Sequence, residues 1–156
     1  MNNKIRENLK FDFFNNNKLE KYKNKILNSN SIALHWRRGD YDLSSVLPEK
    51  YFYNAIKHFE KIFVFSDSIQ EVKNIISSWE LDLYFDFVTD NCEGLLDYQE
   101  MYLMSLSKAN IISKSTFSWW GAYLKKSNQD LVCYPAQKFT NKWATLALKE
   151  WQGINF

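Results

Sequence analysis

Two adjacent arginines, Arg37 and Arg38, directly follow a short apolar run that ends at His35 and Trp36. A guanidinium group is charged at neutral pH and presents a planar fork of N–H donors that matches pairs of phosphate oxygens. Two such groups at the end of a strand indicate a site for a phosphate or diphosphate. Asp40 either orients an arginine through a buried ion pair or acts as a base. We favour the ion pair, because a neighbouring guanidinium lowers a carboxyl pKa and weakens the group as a base.

Two further polar clusters follow apolar runs, at residues 66–68 (SDS) and 113–118 (SKSTFS). In the second cluster, Ser115, Thr116 and Ser118 place hydroxyls and backbone N–H groups at the start of a predicted helix, which is a natural anion site. Each feature taken alone also fits a simpler explanation, such as a solvated arginine pair, a helix cap or a hydrogen-bonded core histidine. Only their joint placement indicates a site.

The hydrophobic periodicity predicts alternating helices and strands. The predicted strands are 31–36, 62–66, 83–88, 110–113 and 131–134, and the predicted helices are 18–28, 48–60, 69–79, 97–108 and 117–126. Residues 141–156 are predicted to form a terminal helix that packs on the sheet, or that faces a further domain. This order predicts an α/β fold with a single Rossmann-like, doubly wound and mainly parallel sheet. Because ligands bind beyond the carboxyl ends of such strands, the three polar clusters should line one crevice.

Length and composition limit the class of protein. The 156 residues suit one domain, and 17% aromatic residues with only 4 Gly and 2 Pro favour a packed fold. A net charge of +2 argues against a broad nucleic-acid-binding surface. Cys92 and Cys133 lack partners at metal-ligand spacing, so we expect no metal site, no disulfide framework and a cytoplasmic protein. No apolar stretch is long enough for a signal peptide or a membrane span.

Four segments carry a family resemblance. HWRRGDY at 35–41 resembles the H-x-R-R-x-D-Y signature of the alpha-1,2-fucosyltransferase family, glycosyltransferase family 11. FSDS at 65–68 is similar to that family's F-S-D-D motif, MYLMS at 101–105 to its M-x-L-M-S helix, and STFSWWGA at 115–122 to its S-S-F-S-W-W-G/A-A motif. The matches occur in the family's order. Ser68 and Lys114 depart from it, where relatives usually carry an acidic residue and Asn.

The resemblance implies an activity and a fold. Members of the family transfer fucose from GDP-fucose to a galactose 2-hydroxyl with inversion, without a required metal, on a two-domain GT-B fold. The chain resembles the donor-binding C-terminal half. The implied catalytic residues are Arg37, Arg38, His35 and Asp40, of which the two arginines and His35 also reach the GDP diphosphate or the donor.

The remaining donor-binding residues also follow from the resemblance. Ser115, Thr116, Phe117 and Ser118 would line the phosphate and nucleoside pocket, while Asp67 would contact the nucleotide or fix the loop. Glu100 lies where the family often carries an acidic residue, and a carboxylate can accept hydrogen bonds from N1–H and N2–H of guanine. No cofactor is implied beyond GDP-fucose as donor, and the acceptor would be a galactose-terminated glycan.

The length of the chain raises a question about its domains. Relatives carry a further domain ahead of the H-x-R-R-x-D-Y motif, whereas 34 residues precede His35 here. We therefore expect residues 1–156 to form one GDP-fucose-binding domain, with 1–17 as a flexible remnant of an interdomain segment. We expect either that the chain comes from a truncated gene that contains the donor half, or that another chain supplies the N-terminal domain. The alternatives are a non-catalytic nucleotide-sugar-binding module and an interaction domain. Peripheral association with the inner membrane face is a further expectation.

Overall fold

The computed structural model describes residues 4–8, 11, 16–40, 42, 45–56, 59–125, 131–136 and 146–156. Its helices are α1 (Lys4–Asn8), α2 (Asn17–Leu27), α3 (Glu49–Ile56), α4 (Ile69–Ser77), α5 (Val88–Asn91), α6 (Asp97–Leu106) and α7 (Thr116–Tyr123). Its strands are β1 (Ser31–His35), β2 (Lys61–Phe65), β3 (Tyr84–Phe87), β4 (Ala109–Ile111), β5 (Val132–Pro135) and β6 (Gln152–Ile154). The assignment of 1–17 to an interdomain segment stays a prediction.

The six strands form one sheet in the order β3-β2-β1-β4-β5-β6, and every neighbouring pair is parallel. This confirms the predicted Rossmann-like α/β fold. The order reverses between β1 and β4, where consecutive connections leave in opposite directions. Beyond the carboxyl ends of these two central strands, a doubly wound sheet opens a crevice for ligands.

Alternating side chains of β1 pack against helices on both faces of the sheet. Ile32 and Leu34 belong to one buried cluster together with residues of α3 and α4. Ala33 belongs to the opposite cluster, with Phe63, Phe65 and residues of α2 and α6. Because successive side chains of a strand point to opposite faces, the buried His35 shares the α6 face with Ala33. This alternation places the imidazole in the crevice.

The end of the chain differs from the predicted terminal helix. Within 146–156, the described part of that segment, the structure has strand β6, which pairs in parallel with β5. Residues 141–145 lie outside the described residues. A strand is favoured because it supplies partners for the backbone N–H and C=O groups along the outer edge of β5. At Gly153 a Cβ would lie 3.0 Å from the Ala136 Cβ and 3.2 Å from the Tyr134 ring, so the pairing depends on a residue without a side chain.

A third buried cluster joins α7 to this edge of the sheet. The Trp119 ring stacks on Tyr123 at 4.8 Å, and its Nε1–H donates to the carbonyl of Leu146 at 2.8 Å. Trp151 lies 5.9 Å from Trp119 in the same cluster. These contacts show that Trp119 of the S-T-F-S-W-W-G-A segment belongs to the core, which fixes α7 and the loop before it.

Candidate active site

A cleft of about 240 Å³ lies at the carboxyl edge of the sheet. It brings together residues from all three predicted loops. The predicted site residues that line it are His35, Arg37, Asp67, Glu100 and Phe117. The loops also hold one another, since the backbone N–H of Arg37 donates to Ser113 Oγ at 3.0 Å. The three polar clusters therefore share one site.

Part of the cleft was missed by the sequence analysis. Ser66 lines the cleft as part of the predicted cluster 66–68, and the lining residues outside the predicted clusters are Thr89, Cys92, Glu93, Gly94, Leu95 and Asp97. Most of them lie in or just after α5, a one-turn helix at a position where the prediction continued β3 to residue 88. The sequence pattern that could have indicated this turn is the polar stretch TDNCEG, which ends in Gly94. In the structure Gly94 has a φ of +91°, a conformation that favours glycine.

Asp67 fixes the loop that carries the arginines. Its carboxylate accepts hydrogen bonds from the backbone N–H of Arg38 at 2.9 Å and of Gly39 at 2.8 Å. The Arg37 Nε lies 3.2 Å from the same carboxylate. Of the two roles considered for Asp67, the structure therefore supports fixing the loop, and a nucleotide contact stays a prediction.

Arg37 and Asp40 form a two-point ion pair at the mouth of the cleft. Nε and Nη2 of the arginine donate to Oδ1 and Oδ2 of Asp40 at 2.9 and 2.7 Å. The hydrogen bond from Arg37 lowers the pKa of Asp40, which weakens it as a base. This supports the orienting role. The expectation of a buried pair is wrong, because the Asp40 side chain is 63% exposed. The pair follows a strand end, where the chain leaves the packed layers.

Arg38 points away from the cleft. Its Nη2 pairs with Glu71 of α4, and its Cζ lies 5.7 Å from the centre of the Trp36 ring. It is not among the residues that line the cleft. The structure therefore shows Arg38 anchoring the loop to α4, and its predicted contact with the diphosphate gains no support from this arrangement.

The hydroxyl groups at the start of α7, which were predicted to contact the donor substrate, lie in different environments. Ser118 is fully buried, and its Oγ donates toward the carbonyls of Ser113 and Ser115, both at 3.1 Å. A direct donor contact for Ser118 is therefore not supported, because its hydroxyl is committed to holding the first turn of the helix. Ser115 is buried at the N-cap and Thr116 is exposed, and neither lines the cleft. Their donor contacts stay predictions.

His35 is a neutral group in the wall of the cleft. It is 3% exposed, and its ring lies 5.2 Å from Phe117. Burial is the main cause that lowers its pKa to about 4, partly opposed by Asp67 and reinforced by Arg37. Its Nδ1 has no hydrogen-bond partner within the described residues. At pH 7 the imidazole is therefore uncharged and can form a hydrogen bond with a ligand.

Glu100, in the first turn of α6, is the unusual carboxyl group of the cleft. Burial raises its pKa to about 7, a hydrogen bond from Thr89 opposes this rise, and the charge of Asp97 adds to it. Thr89 Oγ1 lies 3.2 Å from Glu100 Oε2. The cleft thus combines the Arg37 cation with a carboxyl group that changes its charge near neutral pH, an arrangement that suits a ligand with an anionic part and a hydrogen-bond-donating part.

No cluster of three or more His, Cys, Asp or Glu side chains suited to a metal occurs in the described ranges. Burial raises the pKa of Cys92 and of Cys133 to about 11, so both are thiols at pH 7. Within the same described residues, none of the helices is both long and apolar enough to cross a bilayer.

Gly39→Ala should destabilise the arginine loop. A Cβ at this position would lie 2.8 Å from Asp67 Oδ2 and 3.2 Å from Ser68 Oγ. Because the carboxylate is held by two backbone N–H groups, it cannot retreat without losing them. We expect a loss of about 1–3 kcal/mol in the free energy of unfolding, measured by urea denaturation. In an Asp67→Ala background the added loss should be smaller, and equal losses in both backgrounds would contradict the steric explanation.

Comparison with known proteins assigns the family. The model of "Glycosyl transferase family 11" matches residues 1–155. The chain is 35% identical over 150 residues to the O-antigen biosynthesis glycosyltransferase WbnK of Escherichia coli, covering 86% of this chain and 48% of the relative. It is 34% identical over 127 residues to an alpha-1,2-colitosyltransferase of Escherichia coli, covering 71% of this chain and 42% of the relative.

The chain thus spans about half the length of the curated relatives that it matches. No solved structure matches it significantly. The family match covers nearly the whole chain, and three of the four motifs that carry the resemblance contribute residues to the cleft. This chain belongs to glycosyl transferase family 11.

Proposed function

We propose that this chain is the donor-binding half of a glycosyltransferase that transfers fucose from GDP-fucose to a galactose 2-hydroxyl of a glycan, with inversion. The observation that carries the proposal is the meeting of Arg37 and Glu100 in one cleft at the carboxyl edge of the sheet. The guanidinium group suits a diphosphate, and the carboxyl group suits the N–H donors of guanine. Family membership supports sugar transfer in general, and the fucosyl donor and galactosyl acceptor are part of the proposal.

Arg37 would act on the leaving group. As the bond from the sugar to the diphosphate breaks, the sugar gains oxocarbenium character and negative charge builds on the β-phosphate oxygens. A guanidinium already oriented by Asp40 and Asp67 stabilises that charge more in the transition state than in the ground state. His35 stays neutral and offers a hydrogen bond within the cleft. The base that deprotonates the acceptor hydroxyl is not assigned, and the acceptor side would require a further domain.

A second candidate donor comes from one relative, which is named an alpha-1,2-colitosyltransferase. Sequence similarity over 71% of this chain makes transfer of a colitosyl group a direct alternative to fucosyl transfer. The two proposals predict the same diphosphate contact at Arg37 and differ only in the sugar. Competition of GDP-fucose and an activated colitose donor for the cleft, followed by turnover with each, separates them.

Calorimetric titration with GDP and GDP-fucose tests the proposal. We expect both to bind in the presence of a chelator, because Arg37 supplies positive charge to the diphosphate. Absence of binding would favour an interaction domain. Binding without GDP release in the presence of a lactose-type acceptor, also after the chain is joined to a relative's N-terminal half, would favour a non-catalytic nucleotide-sugar-binding module.

We further propose that the enzyme works in the cytoplasm, peripherally at the inner membrane face, which vesicle co-sedimentation tests.

The affinity for GDP should rise with pH near neutrality. Ionised Glu100 can accept both N1–H and N2–H of guanine, whereas its protonated form loses one acceptor. With the pKa of Glu100 raised to about 7 by burial, we expect Kd to fall about tenfold between pH 6 and pH 8. Calorimetry across this range measures the effect, with Glu60→Gln at an exposed position as the matched control for Glu100→Gln. The terminal phosphate of GDP also ionises at about pH 6, so a pH dependence as steep in Glu100→Gln as in the wild-type chain would contradict the assignment.

A further inference from the structure

Thr89 connects two parts of the cleft that are distant in sequence. Its Oγ1 accepts a hydrogen bond from the backbone N–H of Ser66 at 3.2 Å and lies 3.2 Å from Glu100 Oε2. A hydroxyl has one hydrogen and two acceptor lone pairs. Since the Ser66 N–H uses one lone pair, the hydroxyl hydrogen is available for the carboxylate. The bond to Glu100 therefore runs from Thr89 as donor to an ionised acceptor.

Ser66 belongs to the loop that also organises Arg37. Its Oγ donates to the carbonyl of Trp36 at 2.6 Å, and the next residue, Asp67, accepts the N–H groups that hold the arginine loop. One rigid loop after β2 thus touches both the cationic part of the cleft and, through Thr89, its titrating carboxyl group. Oε1 of Glu100 has no hydrogen-bond partner within the described residues, so Oε1 and the second lone pair of Oε2 are left for a ligand.

We propose that Thr89 is a positioning residue that holds Glu100 Oε2 and thereby orients the carboxylate toward the hydrogen-bond-donating part of the ligand. The proposal rests on the proposed nucleotide-binding function. It adds a residue outside the four family motifs, on a helix that the sequence analysis did not predict. It also makes base recognition depend on the same loop that orients Arg37.

Several titratable or charged groups share the cleft with Glu100 and bear on its ionisation. They come from the β1 loop, the β2 loop, the turn after α5 and α6 itself: His35, Arg37, Asp67, Cys92, Glu93 and Asp97. Among the causes that act on Glu100, the bond from Thr89 favours the ionised form, whereas burial and Asp97 oppose it. Removing the Thr89 hydroxyl should therefore make Glu100 harder to ionise.

Thr89→Val removes the hydroxyl and keeps the branched shape, while Thr89→Ser keeps the hydroxyl. In the ligand-free chain, an NMR titration of the Glu100 carboxyl carbon should show its midpoint rise by about one pH unit in Thr89→Val and stay unchanged in Thr89→Ser. Glu100→Gln identifies the signal. Ser77→Ala, which removes a hydroxyl from α4 outside the cleft, is the matched control and should shift nothing. Thr89→Ala replaces Thr89→Val if the latter does not fold.

Binding provides the second readout. With its midpoint one unit higher, about a tenth rather than half of Glu100 is ionised at pH 7, so GDP should bind about fivefold more weakly to Thr89→Val. The preference for GDP over IDP, which lacks the 2-amino group, should also decrease, and Thr89→Ser should restore both. An unchanged midpoint in folded Thr89→Val would overturn the positioning role. Failure of the wild-type chain to prefer GDP would instead overturn the proposed base recognition, while the NMR titration still decides the role of Thr89.

Discussion

Arg37→Ala should reduce turnover about a hundredfold. The substitution removes the guanidinium fork from the site where negative charge develops, and a charge-assisted contact that strengthens in the transition state is worth about 3 kcal/mol. Nε and Nη2 of Arg37 are held by carboxylate groups of Asp40 and Asp67, so the fork is oriented before the donor arrives. Arg37→Lys should rescue little, because lysine restores the charge but not the planar two-point geometry.

Arg6→Ala is the matched control for this prediction. Arg6 is the remaining one of the chain's three arginines, and its side chain donates to the carbonyl of Tyr123, outside the cleft. Turnover would be measured as GDP release by the chain joined to a complete acceptor domain, with thermal melting as the check on folding. Near-normal turnover and GDP affinity in a folded Arg37→Ala variant would show that the arginine loop is only a charged surface turn.

His35 and Glu100 should give the folded state opposite pH dependences. For His35, burial lowers the folded-state pKa to about 4, so protonation favours the unfolded chain and stability is lost as the pH falls below 6.5. For Glu100, burial raises the pKa to about 7, so ionisation favours the unfolded chain and stability is lost as the pH rises from 4.5 through 7. Each contribution is about 3 kcal/mol across its window.

Urea denaturation between pH 4 and pH 8 tests both slopes. Relative to His35→Gln, the wild-type chain should lose about 3 kcal/mol between pH 7 and pH 4. Relative to Glu100→Gln, it should lose about the same amount between pH 4.5 and pH 8. His58→Gln at the other histidine and Glu60→Gln at an exposed glutamate are the controls. If the free energy of unfolding of the wild-type chain and of either cleft variant changed equally with pH, burial would not shift the pKa of the corresponding group.

The predictable part of the fold followed from local patterns. The short apolar runs separated by amphipathic segments predicted five of the six strands and the parallel sheet, because buried parallel strands are apolar on both faces. Within the described residues 146–156, the predicted terminal helix was wrong. The aromatic residues of this segment suit a helix or a strand equally, and the choice depended on the open edge of β5, which lies elsewhere in the chain.

The candidate site was predictable where its residues directly follow strands. His35, Arg37 and Asp67 lie at strand ends, and in a parallel sheet all such ends meet at one edge. Arg37 and Arg38 are adjacent and chemically equal in the sequence, yet only Arg37 lines the cleft, because α4 supplies Glu71 as a partner for Arg38. Ser115 and Ser118 also looked equivalent in the sequence, and the start of α7 buries both of them outside the lining of the cleft.

Residue order and the alternation of strands and helices were enough to predict the parallel sheet, the family and the charged groups that follow the central strands. The tertiary structure decided which charges face the cleft, that Asp67 holds the loop, and that Thr89 reaches both Ser66 and Glu100. It also decided the ionisation of His35 and Glu100, because desolvation depends on what other elements pack around a group and has no signature in the neighbouring residues.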